Sequence, residues 1–143
     1  MSIKGRKLSI GSLDFNVLVE GEGTDVLLVH GFPDSNSVWP NQIPALVEAG
    51  YLVIAPDLRG FGETSVPTRT DDFKIHEFVA DLAAILDALG VHDKVRLVGH
   101  DWGAAVGWKM CMQHPNRVDR YAALAVSHPT AYAHAGVVQK LKA

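Results

Sequence analysis

The sequence predicts an α/β fold, with a mostly parallel sheet, an N-terminal β-hairpin and flanking helices. After two initial strands, short apolar runs alternate with segments of helical periodicity, which is typical of βαβ units with right-handed crossovers. Residues 26–29 form an unbroken apolar run, and such a run suits a strand covered on both faces, as in a parallel sheet. The 143 residues, of which 48% are apolar and 20% charged, are sufficient for one globular domain with a modest core.

The first half of the chain predicts four strands and one helix. The strands are expected at residues 7–10, 13–20, 25–30 and 51–55. The first two strands join at Gly11-Ser12 and form the hairpin. A helix is expected over residues 35–48, with Ser35 or Ser37 near its cap, although Pro40 lies within its first half.

The second half predicts a loop, two strands and three helical segments. Residues 56–67 are rich in glycine and proline and are expected to form a loop. The clearest helix covers residues 75–89, because its apolar residues recur at helical spacing. The remaining elements are strands at residues 94–98 and 118–126, a helix from the intervening turn to about residue 114, and a further helix within residues 131–142.

The most informative stretch is residues 95–105, which predict a buried strand, a sharp turn and the start of a helix. Gly99 and Gly103 flank Asp101 at the spacing G-x-D-x-G. A Cβ at either glycine would clash where the strand and the helix meet. The turn lifts Asp101 to the helix N-terminus, which favours an anion, so we expect an ionised carboxylate. The same pattern also fits a plain helix N-cap at Asp101.

Three stretches together resemble the α/β-hydrolase family and, within it, the epoxide hydrolases. His30-Gly31-Phe32-Pro33 is similar to the family's H-G-x-P motif, residues 57–64 to its G-x-G-x-S/T loop, and residues 99–103 to an aspartate form of its nucleophile elbow. Each stretch follows a predicted strand, where the site of an α/β sheet is expected. The resemblance covers only the first half of the family's fold. Residues 1–143 are therefore expected to be a partial core domain that ends near the sixth strand.

The resemblance implies that Asp101 is the nucleophile and that the backbone N–H groups of Phe32 and Trp102 form the oxyanion hole. A carboxylate that attacked an ester or an amide would form an anhydride, which is uphill. Attack on an epoxide or an alkyl halide forms an ordinary ester, which water can then cleave. We therefore expect a small-molecule substrate, most simply an epoxide hydrolysed to a diol, with no cofactor and no metal.

We expect supporting roles for other residues in and near these motifs. The resemblance implies that His30, Gly31 and Pro33 shape the loop, with a cis Phe32–Pro33 bond, and we expect His100 to pack within the elbow. His128 is the one histidine that its position, after the strand at residues 118–126, makes a candidate general base. No acidic residue follows it as a partner.

Dehalogenases of the same family are the alternative. Fluoroacetate dehalogenases share H-G-F-P but carry arginines where this chain has Trp102 and Ala105. Haloalkane dehalogenases share the tryptophan at position 102 but usually place an asparagine, a second halide donor, where this chain has Phe32. Epoxide hydrolase is the better match, and a haloalkane or haloacid dehalogenase is the second reading.

The orienting acid and the general-base histidine of the family are expected beyond residue 143, together with later strands and a cap domain. After Asp119 the chain has no Asp or Glu. We therefore expect an N-terminal part of an epoxide-hydrolase-like enzyme that is alkylated once at Asp101 without turnover. The alternative is a natural short product, without catalysis, that binds a ligand or partner through the same cleft.

Composition limits the expected partners and compartment. The net charge is −3 and no basic cluster exceeds two adjacent residues, so nucleic acid is not an expected partner. No run approaches the ~20 apolar residues of a membrane span, and a single cysteine, Cys111, favours a reducing compartment, the cytoplasm. The last strand would leave an apolar edge at residues 122–126, which could mediate self-association.

Overall fold

The computed structural model describes residues 5–136. Its strands are β1 (Gly5–Ile10), β2 (Leu13–Glu20), β3 (Thr24–Val29), β4 (Tyr51–Pro56), β5 (Val95–His100) and β6 (Val118–Leu124). They form one sheet in the order β1-β2-β4-β3-β5-β6. β2 pairs antiparallel with β1 and with β4, whereas the pairs β3–β4, β3–β5 and β5–β6 are parallel. The predicted hairpin and mostly parallel sheet are confirmed.

The helices are α1 (Gln42–Glu48), α2 (Ile75–Ala88), α3 (Trp102–Gln113) and α4 (Pro129–His134). The first half of the helix expected over residues 35–48 is wrong. A 3-10 turn, Asn36–Val38, replaces it, with Ser35 as its N-cap, and α1 begins only after Pro40. Proline disfavours a helical conformation in the residue before it, which here is Trp39. The helix expected within residues 131–142 begins earlier, at Pro129, and ends at His134, since Ala135 is extended. Residues 137–142 of that expectation lie outside the described residues.

The core lies on both faces of the sheet. Successive residues of β3 point to opposite faces, so Leu27 packs in the cluster beneath α2 and α3, while Val26 and Leu28 pack in the cluster beneath α1. The two-sided burial predicted from the apolar run of β3 is thus confirmed. Cys111 packs against the larger cluster, and burial raises the pKa of its thiol, which fits a packed cysteine.

The register of the sheet determines where the site forms. β3 and β5 are parallel neighbours, and Val29, the last residue of β3, pairs with Gly99. The loops that leave these two strands therefore start side by side at the same edge of the sheet. Within residues 5–136, no helix is both long and apolar enough to cross a membrane.

Candidate active site

Asp101 occupies a backbone conformation that few non-glycine residues adopt, with φ 54° and ψ −120°. Strain of this kind persists only where the surrounding structure enforces it. Here the neighbours pack without side chains: a Cβ on Gly99 would lie 2.5 Å from the carbonyl oxygen of Gly103, and a Cβ on Gly103 would clash with the carbonyl of Val29. The two glycines of the motif therefore allow β5, α3 and the end of β3 to approach closely enough to form the elbow.

The carboxylate of Asp101 is held by backbone N–H groups. The N–H of Phe32 donates to Oδ2 of Asp101 over 3.1 Å. This bond, and a second from the N–H of Trp102, lower the pKa of Asp101 because they stabilise the charged form. This direction agrees with the expectation of an ionised carboxylate at the elbow. The same two N–H groups are those that the sequence assigned to the oxyanion hole.

His30 is fully buried and links two loops of the site. Its Nδ1 donates to the carbonyl of Gly31 over 2.8 Å, and its Nε2 accepts from the N–H of Leu58 over 2.9 Å. One ring nitrogen donates and the other accepts, so the ring is neutral. Burial lowers the pKa of His30, against the opposing effects of the Gly31 carbonyl and of Asp57. His30 thus shapes the loop that precedes the cis peptide bond between Phe32 and Pro33.

The Asp57 carboxylate connects β2, the 3-10 turn Asn36–Val38 and the loop after β4. Its buried carboxylate accepts hydrogen bonds from Nδ2 of Asn16 (2.9 Å), from the N–H of Asn36 (2.7 Å) and from the N–H of Glu63 (3.0 Å). The sequence placed Asp57 at the start of the loop motif over residues 57–64 but did not identify Asn16 or Asn36 as partners of its carboxylate. The only signal for Asn16 was a polar residue within an otherwise apolar part of β2, flanked by the buried Phe15.

An open apolar cleft of about 490 Å³ lies over the elbow. Loops after β3, β4, β5 and β6 all contribute to it, as the sequence predicted for this edge of the sheet. Its lining residues are Phe32, Phe61, Phe73, Phe78, Asp101, Trp102, Ala105 and Val126. The sequence identified Phe32, Asp101 and Trp102, but it gave Phe61 and Phe73 no role. Phe78 belongs to the apolar stripe of α2 and is a buried core residue, 2% exposed, whose ring also borders the cleft.

The two histidines considered near the elbow lie outside the cleft lining. His128 caps α4, where its Nδ1 accepts from the N–H of Thr130 over 3.2 Å, and its ring packs edge-on against Trp108 with ring centroids 4.8 Å apart. His100 is half-buried, as expected for a packed residue, and its Nδ1 has no hydrogen-bond partner among the described residues. Residues 5–136 contain no group of three or more His, Cys, Asp or Glu side chains placed to hold a metal ion.

The sheet order, the strained elbow after β5 and the apolar cleft above it are the architecture of α/β hydrolases. The model of the α/β hydrolase fold family matches residues 25–139, and the chain belongs to that family.

Similar curated proteins are epoxide hydrolases. Epoxide hydrolase 2 of Siraitia grosvenorii is 42% identical over 124 residues, which are 87% of this chain and 39% of that protein. Epoxide hydrolase A of Mycobacterium tuberculosis is 48% identical over 101 residues, which are 71% of this chain and 31% of that protein. The chain therefore spans well under half the length of these relatives.

Solved structures give the same result. An epoxide hydrolase from Vigna radiata superposes with a TM-score of 0.83 at 42% identity, covering 87% of this chain and 38% of that one. A laboratory-evolved variant of potato epoxide hydrolase superposes with a TM-score of 0.87 at 32% identity, covering 99% of this chain and 45% of that one. The likeness thus extends from the sequence to the backbone that carries the elbow.

Proposed function

We propose that this chain provides the nucleophile and the oxyanion hole of an epoxide hydrolase. The observation that carries the proposal is the Asp101 carboxylate, ionised at a strained elbow and held by the N–H of Phe32. One oxygen of Asp101 attacks an epoxide carbon, the carbon–oxygen bond of the ring breaks, and an ester with Asp101 forms. The released alkoxide oxygen takes a proton from solvent water in the open cleft and becomes a hydroxyl group. The likeness to epoxide hydrolases favours this substrate over an alkyl halide.

The second step is hydrolysis of that ester. Water attacks the ester carbonyl, and the N–H groups of Phe32 and Trp102 stabilise the oxyanion of the tetrahedral intermediate. The bond from the carbonyl carbon to the alkyl oxygen then breaks, the diol leaves with a proton from water, and the Asp101 carboxylate is restored. One such donor typically lowers the barrier by roughly 3 kcal/mol. This step needs a general base, and the cleft lining within residues 5–136 includes no histidine. Residues 1–4 and 137–143 contain no histidine either, so we expect the isolated chain to accumulate the ester.

Intact-mass spectrometry tests the proposal. The folded chain is incubated with excess styrene oxide, and its mass should increase by the mass of one epoxide, with the adduct mapped to Asp101. Asp101→Asn removes the nucleophile and should show no adduct at this position. Asp119→Asn, which alters a half-exposed carboxylate of β6, is the matched control and should react like the parent chain.

Two results would contradict this proposal. Equal labelling of the parent chain and of Asp101→Asn would mean that other side chains react. A parent chain that takes up an alkyl group from 1-bromobutane, but none from any epoxide, would assign the site to dehalogenation instead.

A further inference from the structure

Phe73 is an exposed aromatic residue at the cleft that the proposed reaction does not use. It ends the 3-10 turn Thr70–Phe73, is separated from α2 only by Lys74, and is 37% exposed. It lines the cleft together with Asp101. A large aromatic side chain that stays partly exposed in the same cleft as the proposed nucleophile is available to contact a substrate.

The position of Phe73 is fixed from two sides. Gly60 has φ +80°, and a Cβ there would lie 2.7 Å from Cε1 of the Phe73 ring, so the ring packs directly on bare backbone. Arg59 donates from Nη1 to the carbonyl of Asp72 over 2.6 Å and forms two bonds of 2.6 Å to the carboxylate of Asp81 on α2. The turn that carries Phe73 is therefore tied to α2.

The cleft is suited to a neutral, aromatic substituent. Aromatic rings line most of it, and Asp101 is the one charged residue of the lining within the described chain. The nearby cation, Arg59, faces Phe78, with its Cζ 6.0 Å from the centroid of that ring, and it is absent from the lining. An anionic substituent would be repelled by Asp101 and would find no cation, whereas an aryl ring finds edge and face contacts.

We propose that Phe73 is a specificity-determining residue that holds the aryl substituent of a neutral epoxide while the epoxide carbon lies at Asp101. The proposal rests on the proposed function, since it concerns the substrate of the same site. Aromatic pairs contribute enough to change a rate about tenfold. The chain should therefore react faster with aryl epoxides than with small alkyl epoxides, and this preference should depend on Phe73.

Alkylation rates of the parent chain and its variants test the preference, with styrene oxide and 1,2-epoxypropane as the two substrates. Phe73→Ala should slow alkylation by styrene oxide about tenfold and leave the rate with 1,2-epoxypropane within about twofold. Phe73→Tyr keeps the ring and should keep the preference. Val66→Ala, at a residue on the same loop that is 68% exposed and lines a different surface depression, should behave like the parent chain. Equal slowing of both epoxides by Phe73→Ala would overturn the proposal.

A binding measurement separates this proposal from the proposed function. The unreactive alcohol 1-phenylethanol is titrated into the parent chain, Phe73→Ala and Asp101→Asn and followed by NMR. Weaker binding to Phe73→Ala, with binding to Asp101→Asn retained, supports the aryl site even if no epoxide alkylates the chain. Unchanged binding to Phe73→Ala overturns the aryl site even if alkylation occurs. Tighter binding of phenylacetate than of 1-phenylethanol would also overturn it.

Discussion

The low pKa of the Asp101 carboxylate comes first from backbone N–H groups, and the charge of His100 adds only a smaller effect. Such donors are fixed by the fold, because the N–H of Phe32 belongs to a loop held by the buried His30. A carboxylate stabilised in this way stays ionised below the pH at which free aspartate takes up its proton, about 3.9.

The pH dependence of alkylation follows from this shift. Only the ionised form of Asp101 attacks, and its pKa is lowered, so the reactive form persists as the pH falls and is lost only below the ordinary aspartate range. The rate of adduct formation, corrected for spontaneous epoxide opening, should be flat from pH 7 to about pH 4 and should fall at lower pH. A half-maximal rate near pH 5 or above would contradict this assignment.

At the scale of the element, the sequence predicted most strands and helices because their signals are local. The apolar spacing of residues 75–89 matches α2, Ile75–Ala88, within one residue. The helix expected over residues 35–48 was wrong in its first half, because hydrogen bonds to distant residues hold that segment: Asn36 donates to Asp57 and to the carbonyl of Ala55. Contacts across the fold of this kind leave no periodic pattern in the sequence.

Removing Asp81 from its buried ion pair with Arg59 should strongly destabilise the fold, although burial itself opposes the charged form of Asp81 and raises its pKa. Their side chains are 8% and 9% exposed. The bond to Asp81 raises the pKa of Arg59, which stays charged, so Asp81→Ala leaves a guanidinium group buried without its main partner. Breaking such a pair costs about 3 kcal/mol, and we expect a loss of this size in the free energy of unfolding measured by urea denaturation.

Asp119→Ala is the matched control, because Asp119 belongs to a surface ion pair. Its Oδ2 lies 3.7 Å from Nε of Arg120, and its side chain is half-exposed. Its change should stay within about 0.5 kcal/mol. Similar losses for Asp81→Ala and Asp119→Ala would show that the buried pair contributes no more than a surface pair.

At the scale of the whole molecule, β6 is an edge strand of the described sheet. Its first half presents the exposed charges of Asp119 and Arg120, whereas its second half ends in Leu124, which is 44% exposed. Charged residues on an edge oppose pairing with another chain, and apolar residues favour it. β6 ends at Leu124, and the next residue, Ala125, has a φ of 69°. The apolar edge expected over residues 122–126 therefore corresponds to the last three residues of β6.

We expect the isolated chain to self-associate through this part of β6. Leu124→Lys should shift the protein toward monomer in sedimentation velocity across a concentration series, because a charge at the edge opposes strand pairing. Met112→Lys places the same charge on α3, at a residue that is 52% exposed, and should leave association unchanged. A parent chain that is monomeric at all concentrations would contradict self-association.

The sequence predicted the site residues that lie within recognisable motifs. It did not predict the residues that reach the cleft only through contacts between distant parts of the chain. Asp101 follows from the glycine spacing, whereas Phe32 and Trp102 were assigned through the resemblance of their loops to motifs of the α/β-hydrolase family. Phe61 and Phe73 belong to a long loop whose course over the cleft depends on Gly60 and on the bond from Arg59 to Asp72. Nothing in the order of residues indicates which of these rings faces the cleft.

The hydrogen bond from Phe32 to Asp101 joins residues 69 positions apart in the chain. It requires β3 and β5 to pair in parallel, and pairing of distant segments is the slow part of folding. The elbow and the H-G-F-P loop are each short segments of sequence. Phe32 and Asp101 can meet only after the chain between β3 and β5, which includes α2, has folded. Formation of this bond therefore requires the long-range pairing of β3 with β5. A spectroscopic probe at Trp102, whose N–H meets the same carboxylate, should report this pairing rather than early collapse.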